Sequence, residues 1–318
     1  MKKGISYFGV RNPEWVEKDL AIIKESGIDY IVHTYSENDM EYYEGTMRKI
    51  VKLSKDFGLE VYLDPWGVAR IFGGEAFSKF LLLNDEARLV TREGKKGYGA
   101  CMNNPATVEF IKKWIDSASS LGPDFIFWDE PHFSPLTNRE GCFCSICKKK
   151  FKEKFGYPME EASEKDLKLF RGFTKLEFLK TVTAYAKEKG LKNVLCLLPN
   201  DEDIDWDHYA SLPSIDVFGT DPYWVLHPHN FDEWMEDKIK TVSLLSKKHS
   251  KKSEIWIQNF RVKKGEEYLI EKIALKAKEY GIDRISAWSY KGTAYMSYIS
   301  CDDPEIVWTT LLKVYASL

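Results

Sequence analysis

Three acidic residues stand directly before a proline where an apolar run stops: Asp64 in LDPWG, Glu130 in WDEPHF and Asp221 in TDPYW. Proline biases its predecessor toward extended geometry and has no N–H to continue a ladder, so each run ends with an acid held out at its tip. One Asp-Pro is an ordinary turn start. Three at comparable exits point to a shared site. The stretch FIFWDEP also sets Asp129 beside Glu130. Adjacent carboxylates make each other harder to ionise, which suits a group that must keep a proton near neutrality and act as a general acid. Glu130 is the expected acid, with Asp129 or Asp221 as the second carboxylate. Side chains alternate along a strand, so only one of Asp129 and Glu130 can face inward while the strand continues, and the other is expected to open the loop above it.

A second reactive group follows at once. GCFCSICKKKF carries Cys142, Cys144 and Cys147 at C-x-C-x2-C spacing. The start, MKKGISYFGVRNPEW, has too short an apolar stretch for a signal-peptide core, and no later stretch reaches membrane-spanning length. A cytoplasmic location is therefore expected, and thiols kept reduced there read as metal ligands rather than disulfides. Cys101 in YGACMNNP is the natural fourth ligand. Four thiolates close a tetrahedral structural zinc site with no open position for substrate; reduced free thiols are the alternative. Cys196 falls in an apolar run and reads as core, and Cys301 receives no role.

The elements that must position these residues are legible as short β-rich runs alternating with amphipathic stretches. Candidate strands are 4–9, 30–35, 60–64, 125–129, 193–199, 216–221, 254–260 and 284–290. Helical patterns fall at about 13–26, 41–57, 105–120, 143–155, 163–189, 204–211, 232–248, 265–280 and 303–316. Several end in glycine before an apolar start, as in KESGIDYIV and KEYGIDRIS. Eight such units predict a single α/β domain over 1–318, a (β/α)8 TIM barrel, with a long rim loop at 69–104 and a zinc-binding loop at 131–162. An open doubly wound sheet is the alternative, but FGVRNPEW is not the glycine-rich phosphate turn such a sheet carries after its first strand.

Barrel chemistry sits where strands exit. The exits here carry Arg11, then His33 and Tyr35, Asp64 and Trp66, Asp129, Glu130 and His132. Next come Asn200 and Asp201, Asp221, Tyr223 and Trp224, Gln258 and Asn259, and Trp288 and Tyr290. Carboxylates, amides and flat aromatic walls are the composition expected for a sugar ring, with His33, Asp64, Trp66, Asn200, Tyr223, Gln258 and Trp288 as substrate-binding candidates. Cleavage of a glycosidic bond uses a protonated and an ionised carboxyl. The net charge of −3, with both signs interspersed, gives no basic face for nucleic acid and no cationic helix for a membrane. The expected partner is a small carbohydrate, and self-association into a homo-oligomer is left open. In the rim loop, FGGEAFS reads as a turn that could close over substrate, with Arg70 or Glu75 reaching in.

Glu130 at the end of the fourth strand, followed by CFCSICKKKFKEKFG and preceded by a cysteine in an Asn-Asn-Pro context, resembles the family 42 glycoside hydrolases. These are zinc-containing β-galactosidases of the large retaining clan of (β/α)8 glycosidases. The resemblance covers about residues 98–157 and implies zinc on Cys101, Cys142, Cys144 and Cys147, with Glu130 as acid/base. Two positions depart from the clan: Asp129 replaces an asparagine, and the seventh strand offers Gln258 where the nucleophilic glutamate belongs, with Glu254 at the wrong end. The Asp-Glu-Pro triplet is instead similar to hexosaminidase-type barrels, where the aspartate orients the substrate's own acetamide. Two further readings remain: a metal-dependent hydrolase or isomerase using His33 and His132 with the acids, and a barrel that binds sugar without cleaving it. His227 and His229 read as surface loop residues.

Overall fold

The structure is a computed structural model that describes residues 1–74, 77–133, 141–226 and 230–318. Its strands are β1 (Lys2–Tyr7), β2 (Tyr30–Thr34), β3 (Glu60–Asp64), β4 (Arg88–Val90), β5 (Lys96–Ala100), β6 (Phe125–Asp129), β7 (Lys192–Leu197), β8 (Val217–Thr220), β9 (Lys252–Gln258) and β10 (Arg284–Trp288). Eight of them close a parallel barrel in the order β1-β2-β3-β6-β7-β8-β9-β10, with helices between them. This is the expected (β/α)8 barrel. Among the described residues, no helix is long and apolar enough to cross a membrane.

The period-two pattern of each strand sorts its side chains into two layers. Tyr30, Val32, Tyr62, Phe125, Phe127, Val194, Cys196, Val217 and Trp256 face inward and pack together. Their neighbours, such as Ile31, Ile126, Leu195 and Ile257, pack outward with the helices. Glycine makes room for the large inner rings: a Cβ on Gly4 would lie 2.2 Å from the Tyr30 ring. Helix starts follow the expected capping chemistry. Asn12 and Asn104 each accept from a backbone N–H of the first turn, and a proline opens each helix.

The segment after β3 is more ordered than a rim loop. It holds a short helix, Lys79–Leu83, and the antiparallel pair β4 and β5. A three-residue strand and the glycine-bearing KGYGA are too short to show alternation, which is why periodicity misses them.

At the N-terminal end of the barrel a carboxyl is buried inside. Glu254 accepts from Trp256 Nε1 at 2.7 Å and from the hydroxyls of Tyr30 and Tyr62 at 3.2 Å each. Arg284 lies beside them and donates to the Tyr62 hydroxyl at 2.8 Å. Burial pushes Glu254 up to about 7, against the opposing pull of Arg284 and the three hydrogen bonds. An unfolded glutamate releases its proton near 4.5, so between about 4.5 and about 7 the native chain binds more protons than the unfolded one. Stability from this group therefore falls as pH rises through that window. Glu254→Gln should show a smaller fall in urea midpoint across the same window than the wild type; parallel curves would mean that Glu254 does not titrate there.

Candidate active site

The acids expected at the strand exits meet in one cavity of about 250 Å³ over the C-terminal end of the barrel. Asp64, Asp129, Glu130 and Asp221 all line it, with Trp66, Tyr223, Phe260 and Trp288 as walls and Phe127, Cys196 and Trp256 toward the barrel interior. Among the described residues its lining contains no lysine, arginine or histidine. A larger cavity, about 630 Å³, lies on the flank against helices Lys79–Leu83 and Pro105–Ser120, away from the strand exits. Its buried acid, Glu37, is already taken up by the Ala69 and Phe80 amides and the Ser78 hydroxyl.

Backbone geometry explains how adjacent acids both reach the cavity. Asp129 continues the inward phase of Phe125 and Phe127. Glu130 should then face away, but its φ is +41°. Its N–H still bonds the Cys196 carbonyl at 3.0 Å, while the left-handed turn breaks the alternation and brings the second carboxyl into the same space. A non-glycine residue in that region costs on the order of 1–3 kcal/mol and persists only where its surroundings enforce it. Here Pro131 follows, and His132 is held on both sides: its N–H donates to the Ile71 carbonyl at 2.9 Å, and its Nδ1 donates to the Glu130 carbonyl at 2.6 Å. The Asp129 carboxyl rests on Gly73, where a Cβ would come within 2.2 Å of its Oδ2.

The two Asp-Pro exits are built alike. Trp66 N–H bonds the Asp64 carbonyl at 2.8 Å, and Tyr223 N–H bonds the Asp221 carbonyl at 2.6 Å. Each turn aims its acid inward and sets an aromatic ring two residues later. Oδ1 of Asp64 and Oδ1 of Asp221 are buried without any protein hydrogen bond. Such atoms normally have partners, so both are ready to accept from a ligand.

Crowding decides the charge of the site. Asp64, Asp129 and Asp221 are all pushed well above the usual carboxylate range, first by burial and then by their acidic neighbours. For Asp221, after burial, the strongest neighbour is Glu130.

The aromatic wall is a slab of three nearly parallel rings. Phe8 stacks with Trp66 at 5.4 Å and 15° and with Trp288 at 5.1 Å and 8°, and the two indoles lie 5.7 Å apart at 12°.

Three expected substrate contacts are placed elsewhere. His33 is out of phase with Tyr30 and Val32, so its ring points behind the strand to Ser54 at 2.8 Å, and burial pushes it down to about 3. Asn200 is exposed and does not line the cavity. Gln258 is fully buried beneath the loops, accepting from Val225 N–H and donating to the Phe260 carbonyl, both at 3.0 Å. Other exit residues are similarly engaged: Arg11 pairs with Asp39, Tyr35 meets Ser117, and Asp201 pairs with Lys175. Arg70 donates to the Gly74 carbonyl and does not line the cavity. Glu75, His227 and His229 lie outside the described residues.

Sequence reading missed Phe8, Phe260 and the interior residues Ser6 and Trp256. Ser6 and Trp256 sit at inward phase on β1 and β9, a signal that was available; the Gly73–Gly74 approach depends on tertiary packing.

The four cysteines come together as expected. The Sγ atoms of Cys101, Cys142, Cys144 and Cys147 all lie within 4.8 Å of one another, with Cys101 at 3.7 Å from Cys144 and 3.4 Å from Cys147. Thiolates about 2.3 Å from a tetrahedral zinc are about 3.8 Å apart, whereas a disulfide needs about 2 Å. The spacing fits a metal such as zinc. Two N–H groups already point at the sulfurs, Val90 N at Cys142 and Asn103 Nδ2 at Cys147. His33, which the alternative metal-dependent reading would join to the rim acids, points instead to Ser54, and among the described residues the four cysteines are the one cluster of three or more such ligand atoms found.

No family model matches the chain, and no curated protein is similar to it. Solved structures are similar in shape. The endo-1,4-β-mannanase from Rhizomucor miehei matches with a TM-score of 0.66 at 10% identity, covering 99% of this chain and 94% of that one. The endo-β-1,4-mannanase from Thermotoga petrophila matches at 0.57 and 11%, covering 99% and 76%. A D-psicose 3-epimerase studied with D-fructose matches at 0.56 and 13%, covering 100% and 98%. At these identities the likeness shows the barrel fold, and the resemblance to family 42 is not carried to family level.

The cysteine geometry predicts about one zinc per chain by elemental analysis. Cys144→Ser should lower the thermal midpoint while the folded fraction keeps the same reaction. Metal-free protein of unchanged stability would remove the zinc assignment.

Proposed function

We propose that this chain is a glycoside hydrolase in which Glu130 is the general acid. The observation that carries the reading is the meeting of Asp64, Asp129, Glu130 and Asp221 in one aromatic-walled cavity at the strand exits, with Glu130 turned into it by a left-handed backbone. The reaction needs one carboxyl to give a proton and a second to assist the attack, and this cavity supplies both kinds of group side by side. The mannanases among the similar structures are glycosidases by name, and the epimerase was studied with a sugar, which agrees with a carbohydrate ligand.

In the proposed reaction Glu130 gives its proton to the glycosidic oxygen as the bond from the anomeric carbon breaks. The carbon takes its new oxygen from water or from an acetamide of the substrate, oriented by Asp129. If the acetamide attacks, water then adds to the anomeric carbon as the bond to the acetamide oxygen breaks, and the water's proton passes to the Glu130 carboxylate, which restores the acid. If water attacks directly, Asp129 takes its proton and Glu130 regains its own from solvent. Asp64 offers its unpartnered oxygen to a sugar hydroxyl, and Trp66, Tyr223 and Trp288 stack on the ring. Gln258 takes no chemical part.

Glu130→Gln should lose at least about 100-fold on substrates with poor leaving groups, which need the proton, and much less on activated aryl glycosides. Its high-pH limb should disappear, because that limb reports loss of the acid's proton. Asp129→Asn should lose activity on both substrate types, since it impairs the attack. Equal losses for Glu130→Gln on both types with the limb intact would move the acid to Asp221. A wild type that binds sugars but turns over no aryl glycoside or N-acetylhexosaminide would leave a sugar-binding barrel.

A further inference from the structure

A second cavity, about 360 Å³, opens beside the first, at the exits of β1 and β10. Ser6 lines both cavities. The partition between them is the aromatic slab: Trp66 and Trp288 line the first cavity, and Phe8, stacked on both indoles, lines the second. A ligand leaving the carboxyl cavity along this side meets a continuous ring surface rather than solvent.

The second cavity has its own polar anchor. Asp19 accepts from the Tyr7 hydroxyl at 2.7 Å and from the Tyr290 hydroxyl at 2.8 Å, one on each carboxylate oxygen. Each of those oxygens has a further lone pair, and both phenol oxygens can still accept. Lys291 lies 4.0 Å from Asp19 and is therefore set against its charge. Tyr295, 88% exposed, and Met296 complete the lining at the mouth. A carboxylate and two phenols beneath apolar and aromatic surfaces repel an anionic ligand and match a neutral polyhydroxyl one.

We propose that this cavity is a second sugar subsite, so that the substrate is an oligosaccharide: one unit faces the four carboxyls and the adjoining unit crosses Phe8 into the Tyr7–Asp19–Tyr290 cradle. This rests on the glycoside reading of the first cavity. It adds that a single sugar leaves half of the site unfilled. Tyr295 is the residue of choice for testing it, because an exposed side chain can be removed without disturbing the core.

The experiment compares wild type, Tyr295→Ala and Asp19→Asn on manno-, cello- and galacto-oligosaccharides of two to four units and on the matching aryl monoglycosides. Kd for the oligosaccharides and the free monosaccharides is measured in parallel from tryptophan fluorescence, with Trp66 and Trp288 as reporters. The expected result is a fall of about tenfold in kcat/KM for the oligosaccharide relative to the monoglycoside in each variant, the scale of one lost ring contact. If the wild type turns over nothing, the hydrolase reading fails, and Kd then decides the subsite by itself. A loss of affinity in Tyr295→Ala for two or more units, relative to one, supports it. Equal ratios in all three proteins, or no binding of any oligosaccharide in the panel, overturns it.

Discussion

Four carboxyl groups crowd one cavity whose described lining offers no cation, and the site can exist only if protons neutralise part of that charge. The barrel imposes this. Strands of one sheet deliver their last inward residues to a common rim, and three of those exits end in an acid before proline. Asp64 and Asp221 are buried and Asp129 and Glu130 half-buried, and burial together with the acidic neighbours produces the upward shifts of Asp64, Asp129 and Asp221. The opposite end of the barrel solves a similar problem differently. Glu254 is as deeply buried, yet Arg284 and three donors stand around it, and it serves the core by fixing the indole of Trp256. That indole in turn lines the cavity above.

The cysteine cluster bears on the same site through the chain that leaves it. Phe133, three residues after Glu130, packs with Cys101, Cys142, Cys147, Phe143 and Phe151 in a core separate from that of the barrel. Glu130 is thus held at one side by the ladder to Cys196 and at the other by a segment anchored in this second core. A strained φ needs surroundings that over-determine it. A metal cross-linking the loops after β3 and β6 would add to that constraint while remaining outside the cavity.

The barrel was legible in the sequence because its signals repeat: glycines after helices, apolar runs and acid-proline exits recur around the ring. The three acidic exits were legible for the same reason. What failed was reading proximity to a strand end as orientation. His33 lies near the end of β2, but Tyr30 and Val32 set the inward phase, and a count by twos would have turned it away from the site. Asn200 lies beyond β7 in a loop whose direction no local pattern encodes. Glu130 is the reverse case. Alternation would face it away from the cavity, and only a left-handed backbone, fixed by contacts to residues 71 and 196, returns it.

Gln258 performs an architectural task at the exit of the seventh barrel strand. In the clan this chain resembles, the seventh strand supplies a glutamate, and here its side chain bridges two loops: Oε1 accepts from Val225 N–H and Nε2 donates to the Phe260 carbonyl. A glutamate here could not do both at neutral pH, because a carboxylate has no donor and would face the Phe260 oxygen with like partial charge. Those loops carry Tyr223, Leu226 and Phe260 to the cavity wall, so the amide holds the wall in place. With that position committed to architecture, the proposed chemistry is left to the four carboxyls of the cavity, of which Asp64 and Asp221 are buried with one unpartnered oxygen each. Asp129, Glu130 and Asp221 meet in that one cavity, and the proposed reaction draws on them without a carboxyl from the seventh strand.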